Sequence, residues 1–442
     1  MLTLTGDARR YCDGISRRSF LRIGALAMGG LSMPSLLQAE QQAGRRSHKA
    51  VIMVYLSGGL AHQDSFDLKP EAPREIAGEF RPIATRVPGI HVGEHLPRLA
   101  RMMDRLNIVR SIVGLRDEHS SYQTLTGYTM DLARREGKPN ACSVVTRVLG
   151  RTAATVPAYV DLFPTMQHRP YNIPGPGFTG PACAGAKVEG DNLSVMRLRD
   201  FTLGQFHDRR RLLRDMDSLR HSLDNLPIER MDNSYRQAYE VLTSQRLVEA
   251  LDVEREPRAV RDAYGHGSPR HQGDGAPLWN DQLLIARRLV ETGVRCVTVA
   301  YGFWDTHGGN FNHLRSNLPV FDRGIAALVD DLHVRGLDRD VSVVVWGEFG
   351  RTPRINRDAG RDHWAPVNCA LLAGGGMRSG QVIGATDKIG AFANQRPVHY
   401  RDILATLYHN LGIDPHTVVR DLLDRPVHIL PDDARPVREL CG

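Results

Sequence analysis

Short, largely apolar runs recur along the chain, separated by longer stretches whose apolar residues return every three or four positions. Residues 51–56 form the first run, ending in Ser57 and the pair Gly58-Gly59; 106–113, 157–163, 295–301, 341–346 and 368–373 are runs of the same kind. Such runs show little alternation of apolar and polar residues. They therefore predict strands buried on both faces, the habit of parallel sheets. Helical periodicity predicts helices over 96–105, 122–135, 208–224, 228–252, 278–292, 314–334 and 400–411, with Pro97 accommodated in a first turn. Residues 164–192 and 265–277, rich in Gly, Pro and polar side chains, read as loops. Strands alternating with helices predict an α/β fold, its parallel sheet covered on both faces and its ligands gathered at the carboxyl ends of the strands.

The first 39 residues follow a different pattern. Ser16-Arg17-Arg18-Ser19-Phe20-Leu21 precedes a moderately apolar run over 23–39, interrupted by Gly24, Gly29, Gly30 and Pro34. The run is too short and too glycine-rich for a membrane span. Leu37-Gln38-Ala39 resembles a signal-peptidase site. Twin arginines before Phe and Leu match the twin-arginine export signal. The expectation is a signal peptide over 1–39, export in the folded state to the periplasm or beyond, the twin-arginine machinery as a partner, and no stable membrane span after processing. Residues 40–442 then form a single domain, with a helical insertion or cap at about 193–277.

Charge and cysteines change this picture little. Of the net charge of +7 over 442 residues, the export segment supplies +3, from five arginines against two aspartates, and the remaining +4 is mild for a chain of this length. No basic stripe with interleaved aromatics remains, which excludes a nucleic-acid role. The six cysteines contain no CxxC pair, which excludes a thiolate zinc cluster. A Cys142–Cys183 disulfide and unpaired buried thiols are the two readings of the rest.

Acids and imidazoles fall where the sheet predicts ligands. His62, Asp64 and Asp67 follow the first strand; Asp305 and His307, with His313 beyond, follow residues 295–301; Glu348 and Arg351 follow 341–346; Arg361, Asp362 and His363 come a short loop later. An acid after a strand is by itself as often a helix cap as a ligand. The recurrence at several strand ends, and Glu348 after a wholly apolar strand, point to a cation site. Carboxylates mixed with imidazoles suit zinc or manganese; purely carboxylate sites suit calcium or magnesium. One or two such ions would polarise a phosphate or sulfate oxygen, and Arg351 and Arg361 would brace the anion.

The same residues carry a resemblance. Residues 58–70, 78–83, 94–100, 109–111, 175–178, 304–310, 347–353 and 360–364 resemble, in order, the motifs of the domain-of-unknown-function-1501 family. That family is placed in the alkaline phosphatase and sulfatase superfamily. The resemblance implies a three-layer α/β/α sandwich with a mostly parallel sheet and two adjacent metal positions. It implies metal ligands at Asp64, Asp305, His307, Glu348 and His363, with His119 a further ligand or an anion contact and Arg351 at the anion. Superfamily hydrolases place a Ser, Thr or modified Cys before a Thr-Gly pair, here Thr126-Gly127, and counting back gives Asp117 instead. Ser120, Ser121 or an ion-activated water is then the attacking group. The expected function is hydrolysis of a phosphate or sulfate ester, on a small molecule or a polysaccharide. The alternative is a non-catalytic exported protein that uses the fold to bind envelope polysaccharide or protein.

Overall fold

The computed structural model describes residues 48–153, 156–188 and 245–442. The export segment, the expected helix over 208–224 and most of the expected insertion lie outside the described residues. Among the described residues, nine strands form the main sheet: β1 (Ala50–Ser57), β2 (Leu106–Val113), β3 (Tyr159–Asp161), β4 (Ala186–Lys187), β5 (Cys296–Phe303), β6 (Val341–Gly347), β7 (Asn368–Gly374), β8 (Gln381–Ile383) and β9 (Val398–His399). The order across the sheet is β8-β2-β7-β6-β1-β5-β3-β4, with β9 also pairing with β2. Every pairing is parallel except those of β7, which runs antiparallel to both β6 and β2. The fold is α/β with a mostly parallel central sheet.

The strand β1 shows why both faces are covered. Ile52, Val54 and Leu56 enter one core, shared with Leu283, Leu284 and Leu289 of α2 (Asn280–Thr292) and Leu318 and Phe321 of α3 (Asn310–Val334). Val51, Met53 and Tyr55 enter the other, with Val144 and Val145 of α1 (Ala141–Leu149) and Ile403 and Leu407 of α4 (Tyr400–Asn410). Successive side chains point to opposite faces of a strand, so an unbroken apolar run fills two cores at once. The result is helix, sheet, helix. The described end of the expected insertion, from Gln245–Leu251 onward, packs on α2 and α3.

Several expectations change: residues 265–277, read as a loop, carry a strand at Gly267–His271 that pairs antiparallel with Pro277–Trp279, and the helix expected over 96–105 ends at Arg101. The apolar run 368–373 forms a strand, but an antiparallel one. The helix expected over 122–135 is two short helices, Tyr122–Thr126 and Met130–Glu136. The break is at Gly127, in the left-handed region at φ 79°, where a Cβ would stand 2.8 Å from Leu430 Cδ2. Cys142 and Cys183 are both free and buried, and the Cys142 Sγ lies 3.7 Å from Met53 Sδ. No described helix is long and apolar enough to cross a membrane.

Candidate metal centre

The carboxyl ends of β1, β5 and β6 finish level with one another, because Leu56 pairs with Gly347 and Ser57 with Phe303. Asp305 and Glu348 leave the sheet within two residues of those ends. The antiparallel β7 begins at the same rim, opposite Ile112 near the end of β2. That direction delivers His363, a few residues before β7, to the rim, while β2 leads out to His119. Gly58 closes the first turn at φ 90°, and a Cβ there would stand 2.5 Å from the Asp305 backbone nitrogen. Only glycine lets these two segments meet.

Among the described residues, one group of acids and imidazoles can share an ion: His119, Asp305, His307 and His363, each offering a ligand atom within 4.8 Å of the others. All three imidazoles turn Nε2 toward Asp305, at 3.4 Å for His119, 3.1 Å for His307 and 3.2 Å for His363. The Nε2 atoms of His307 and His363 are 2.9 Å apart. Two unliganded nitrogens at that separation have at most one proton between them, so the pair is a natural seat for a shared cation.

The opposite ring nitrogens are each met by oxygen. His363 Nδ1 lies 2.7 Å from Asp117 Oδ1, and His307 Nδ1 lies 2.7 Å from Asp362 Oδ1. His119 Nδ1 lies 2.5 Å from the Tyr171 hydroxyl and 3.6 Å from Glu348 Oε1. Burial opposes the charged form of His119, but the bond to Glu348 and the charges of Glu348 and Asp305 outweigh it and raise its pKa. Burial likewise opposes ionisation of Asp305, yet the His363 bond and the Arg351 charge hold its carboxyl well below the usual range. Asp362 is held low first by its hydrogen bond to His307. Burial pushes the Tyr171 phenol far up, so that it stays protonated.

Other expected site residues stand elsewhere. Asp64 lies outside the group. It is fully buried and grips Arg361, with Oδ2 2.6 Å from Nε and Oδ1 2.8 Å from Nη2, and it accepts a 2.8 Å bond from Asn310. With both oxygens engaged, it braces the loop that carries His363. Glu348 is also outside: it is buried, and Oε1 accepts from the Gly58 backbone N–H at 2.7 Å. Arg351 is fully buried and donates to Asp305, Gly58 O, Gly59 O and Arg361 O, so its guanidinium is spent on the scaffold. Arg361 is equally enclosed. Ser121 donates to Asn172 O at 2.8 Å, and Ser120 is fully buried with its hydroxyl unpartnered. His62 bonds Gly390 O and His313 bonds Phe303 O, both away from the group.

The sequence matches the family described as "Protein of unknown function (DUF1501)" over residues 48–441. The chain belongs to the DUF1501 family. No curated protein matches it. Solved structures similar to this DUF1501 chain include a sulfatase from Pseudoalteromonas sp., 12% identical, covering 86% of this chain and 70% of that one with a TM-score of 0.39. A phosphonate monoester hydrolase from Silicibacter pomeroyi is 12% identical, covering 89% and 76%, with a TM-score of 0.36. The lipoteichoic acid synthase LtaP from Listeria monocytogenes is 10% identical, covering 84% and 75%, with a TM-score of 0.37.

Sequence reasoning missed Asp117 and Asp362 as partners of the imidazoles. Asp362 had a signal, since it adjoins His363 in a motif already singled out. Asp117 was noticed only as an absent hydroxyl. Tyr171 lies in a Gly- and Pro-rich loop and carried no signal at all.

Proposed function

We propose that this DUF1501 protein is an exported, metal-dependent hydrolase of a phosphate or sulfate ester. The observation that supports it most is the meeting of three imidazole Nε2 atoms, from three separate segments, around the carboxylate of Asp305. A divalent ion held by His119, Asp305, His307 and His363 would polarise an ester oxygen and acidify a water. The chain's own residues prepare for this. Arg351 keeps Asp305 anionic and fixed, and Asp64 with Arg361 holds the loop that presents His363. Ser120 and Ser121 are closed to an ester, which favours attack by water over a seryl intermediate.

The export half rests on Arg17-Arg18 and the run that follows. In this reading residues 1–39 are removed, residues 40–442 form one domain in the periplasm or outside, and the segment 193–277 shapes access for a small-molecule or polysaccharide ester. A second reading is an exported protein that binds polysaccharide or protein without catalysis. The burial of both serines and the acid at position 117 favour it.

Aryl phosphates and aryl sulfates, assayed with the wild type, Asp305→Ala and Ser120→Ala, separate the two. The hydrolase reading expects activity that Asp305→Ala abolishes and Ser120→Ala leaves within a few-fold. Metal-loaded protein inert on every ester supports the binding protein, and full activity in Asp305→Ala contradicts the metal role.

A further inference from the structure

We infer that Asp117 and Asp362 are positioning residues that fix the tautomer of His363 and His307, and so make the centre a site for one imidazole-preferring ion of the zinc kind. The inference rests on the reading of the His119, Asp305, His307 and His363 group as a metal centre, and goes on to say which ion it takes and what tunes it. A neutral imidazole carries one proton, and a carboxylate at one ring nitrogen draws that proton to its own side. Asp117 Oδ1 and Asp362 Oδ1 each stand 2.7 Å from an Nδ1. Both Nε2 lone pairs are thereby left free and aimed at the space beside Asp305. The partnered carboxylates also raise the basicity of the ring nitrogens and restrain the rings.

The donor set decides the ion. Three imidazole nitrogens and one carboxylate suit four-coordinate zinc or a close relative. Calcium takes six to eight oxygens and magnesium an octahedron of oxygens. Of the further acids expected there, Asp64 gives both oxygens to Arg361 and Glu348 gives Oε1 to the Gly58 N–H, which leaves only Glu348 Oε2 unbonded between them, far short of a shell of six to eight oxygens. No second group that can share an ion stands among the described residues, so this centre takes a single ion. Asp117 then lies on the far side of the His363 ring from the centre, which removes it as a stand-in nucleophile.

The two carboxylates are convenient to test because their side chains are 62% and 53% exposed, so their removal leaves the cores intact. Full-length mature protein is stripped with a chelator and titrated with zinc against a chromophoric competitor, and bound metal is counted by elemental analysis. The expected result is one zinc per chain, calcium binding weaker by orders of magnitude, and a loss of zinc affinity of about 10–100-fold in each of Asp117→Ala and Asp362→Ala. Asp117→Asn and Asp362→Asn, which keep a neutral acceptor, should recover part of the loss. Unchanged melting of the stripped variants separates tuning from damage to the fold. Zinc affinity within twofold of wild type in both alanine variants, two zinc ions per chain, or calcium bound as tightly as zinc overturns the inference. Ester hydrolysis is read separately. Inactive protein showing this zinc dependence removes only the hydrolase reading, and active protein lacking it removes only the inference.

Discussion

Asp64→Asn separates a structural acid from a metal ligand. Asp64 and Arg361 are both fully buried and joined through two bonds of 2.6 and 2.8 Å. The remaining partners of the guanidinium are the carbonyls of Ile76, Thr352 and Pro353, none of which carries charge. Asparagine keeps the shape but leaves Arg361 as an uncompensated buried cation. Removing one partner of such a pair costs about 3–5 kcal/mol. Typical domain stabilities are about 5–15 kcal/mol, so about a fifth of the total or more is at stake. Urea unfolding of metal-free protein should show the loss as a lowered midpoint with little change in slope. The double variant Asp64→Leu with Arg361→Met should recover most of it, because the buried charge is gone. Metal content of the folded Asp64→Asn protein should match wild type. A variant that loses its metal while losing less than about 1 kcal/mol would return Asp64 to the centre as a ligand.

Other substitutions and conditions give sharp expectations. Gly58→Ala places a Cβ 2.5 Å from the Asp305 nitrogen at a left-handed φ, so it should cost more than about 1 kcal/mol and weaken metal binding, as read by urea unfolding and chelator competition. Asn140 caps α1 by accepting from the Ser143 N–H at 2.9 Å, and Asn140→Ala should cost about 1 kcal/mol in the same unfolding assay without touching metal affinity. Burial depresses the pKa of His62, His313 and His399, so each contributes stability that is whole above the unfolded value of about 6.5 and is lost as pH falls through the lower folded value. His119 works in the opposite sense in metal-free protein, its share being present below about pH 6.5 and lost as pH rises through its raised value. The urea midpoint should therefore drop below pH 6.5 in wild type, and less steeply in His62→Gln; an unchanged slope in that variant contradicts the assignment.

Much of the scaffold was legible because burial on both faces leaves a plain mark. An apolar run such as that of β1 or β6 admits few other readings, and the acids after these strands fall at the rim as the sheet requires. Direction is not encoded in the same way. Asn368–Gly374 is as apolar as its parallel neighbours, and only its long-range pairing makes it antiparallel. The helical pattern over 122–135 continued through Gly127, whose backbone is left-handed and where a Cβ would collide with Leu430, a neighbour distant in sequence. At the centre, Asp64, Asp305 and Glu348 present the same local signal, an acid after a strand. What separates them is the partner each meets: Arg361 for Asp64, three imidazoles for Asp305, the Gly58 N–H for Glu348. His307 stands two residues from Asp305 and was legible beside it, but the other partners lie from 58 to 297 residues away in sequence, beyond the reach of any local pattern.

The most direct test is anomalous diffraction from crystals of protein purified without chelators or added metal. One strong peak is expected at the centre, within bonding distance of the Nε2 atoms of His119, His307 and His363 and of an Asp305 oxygen. A peak coordinated by Asp64 or Glu348, or no peak from protein that elemental analysis shows to be loaded, contradicts the metal assignment.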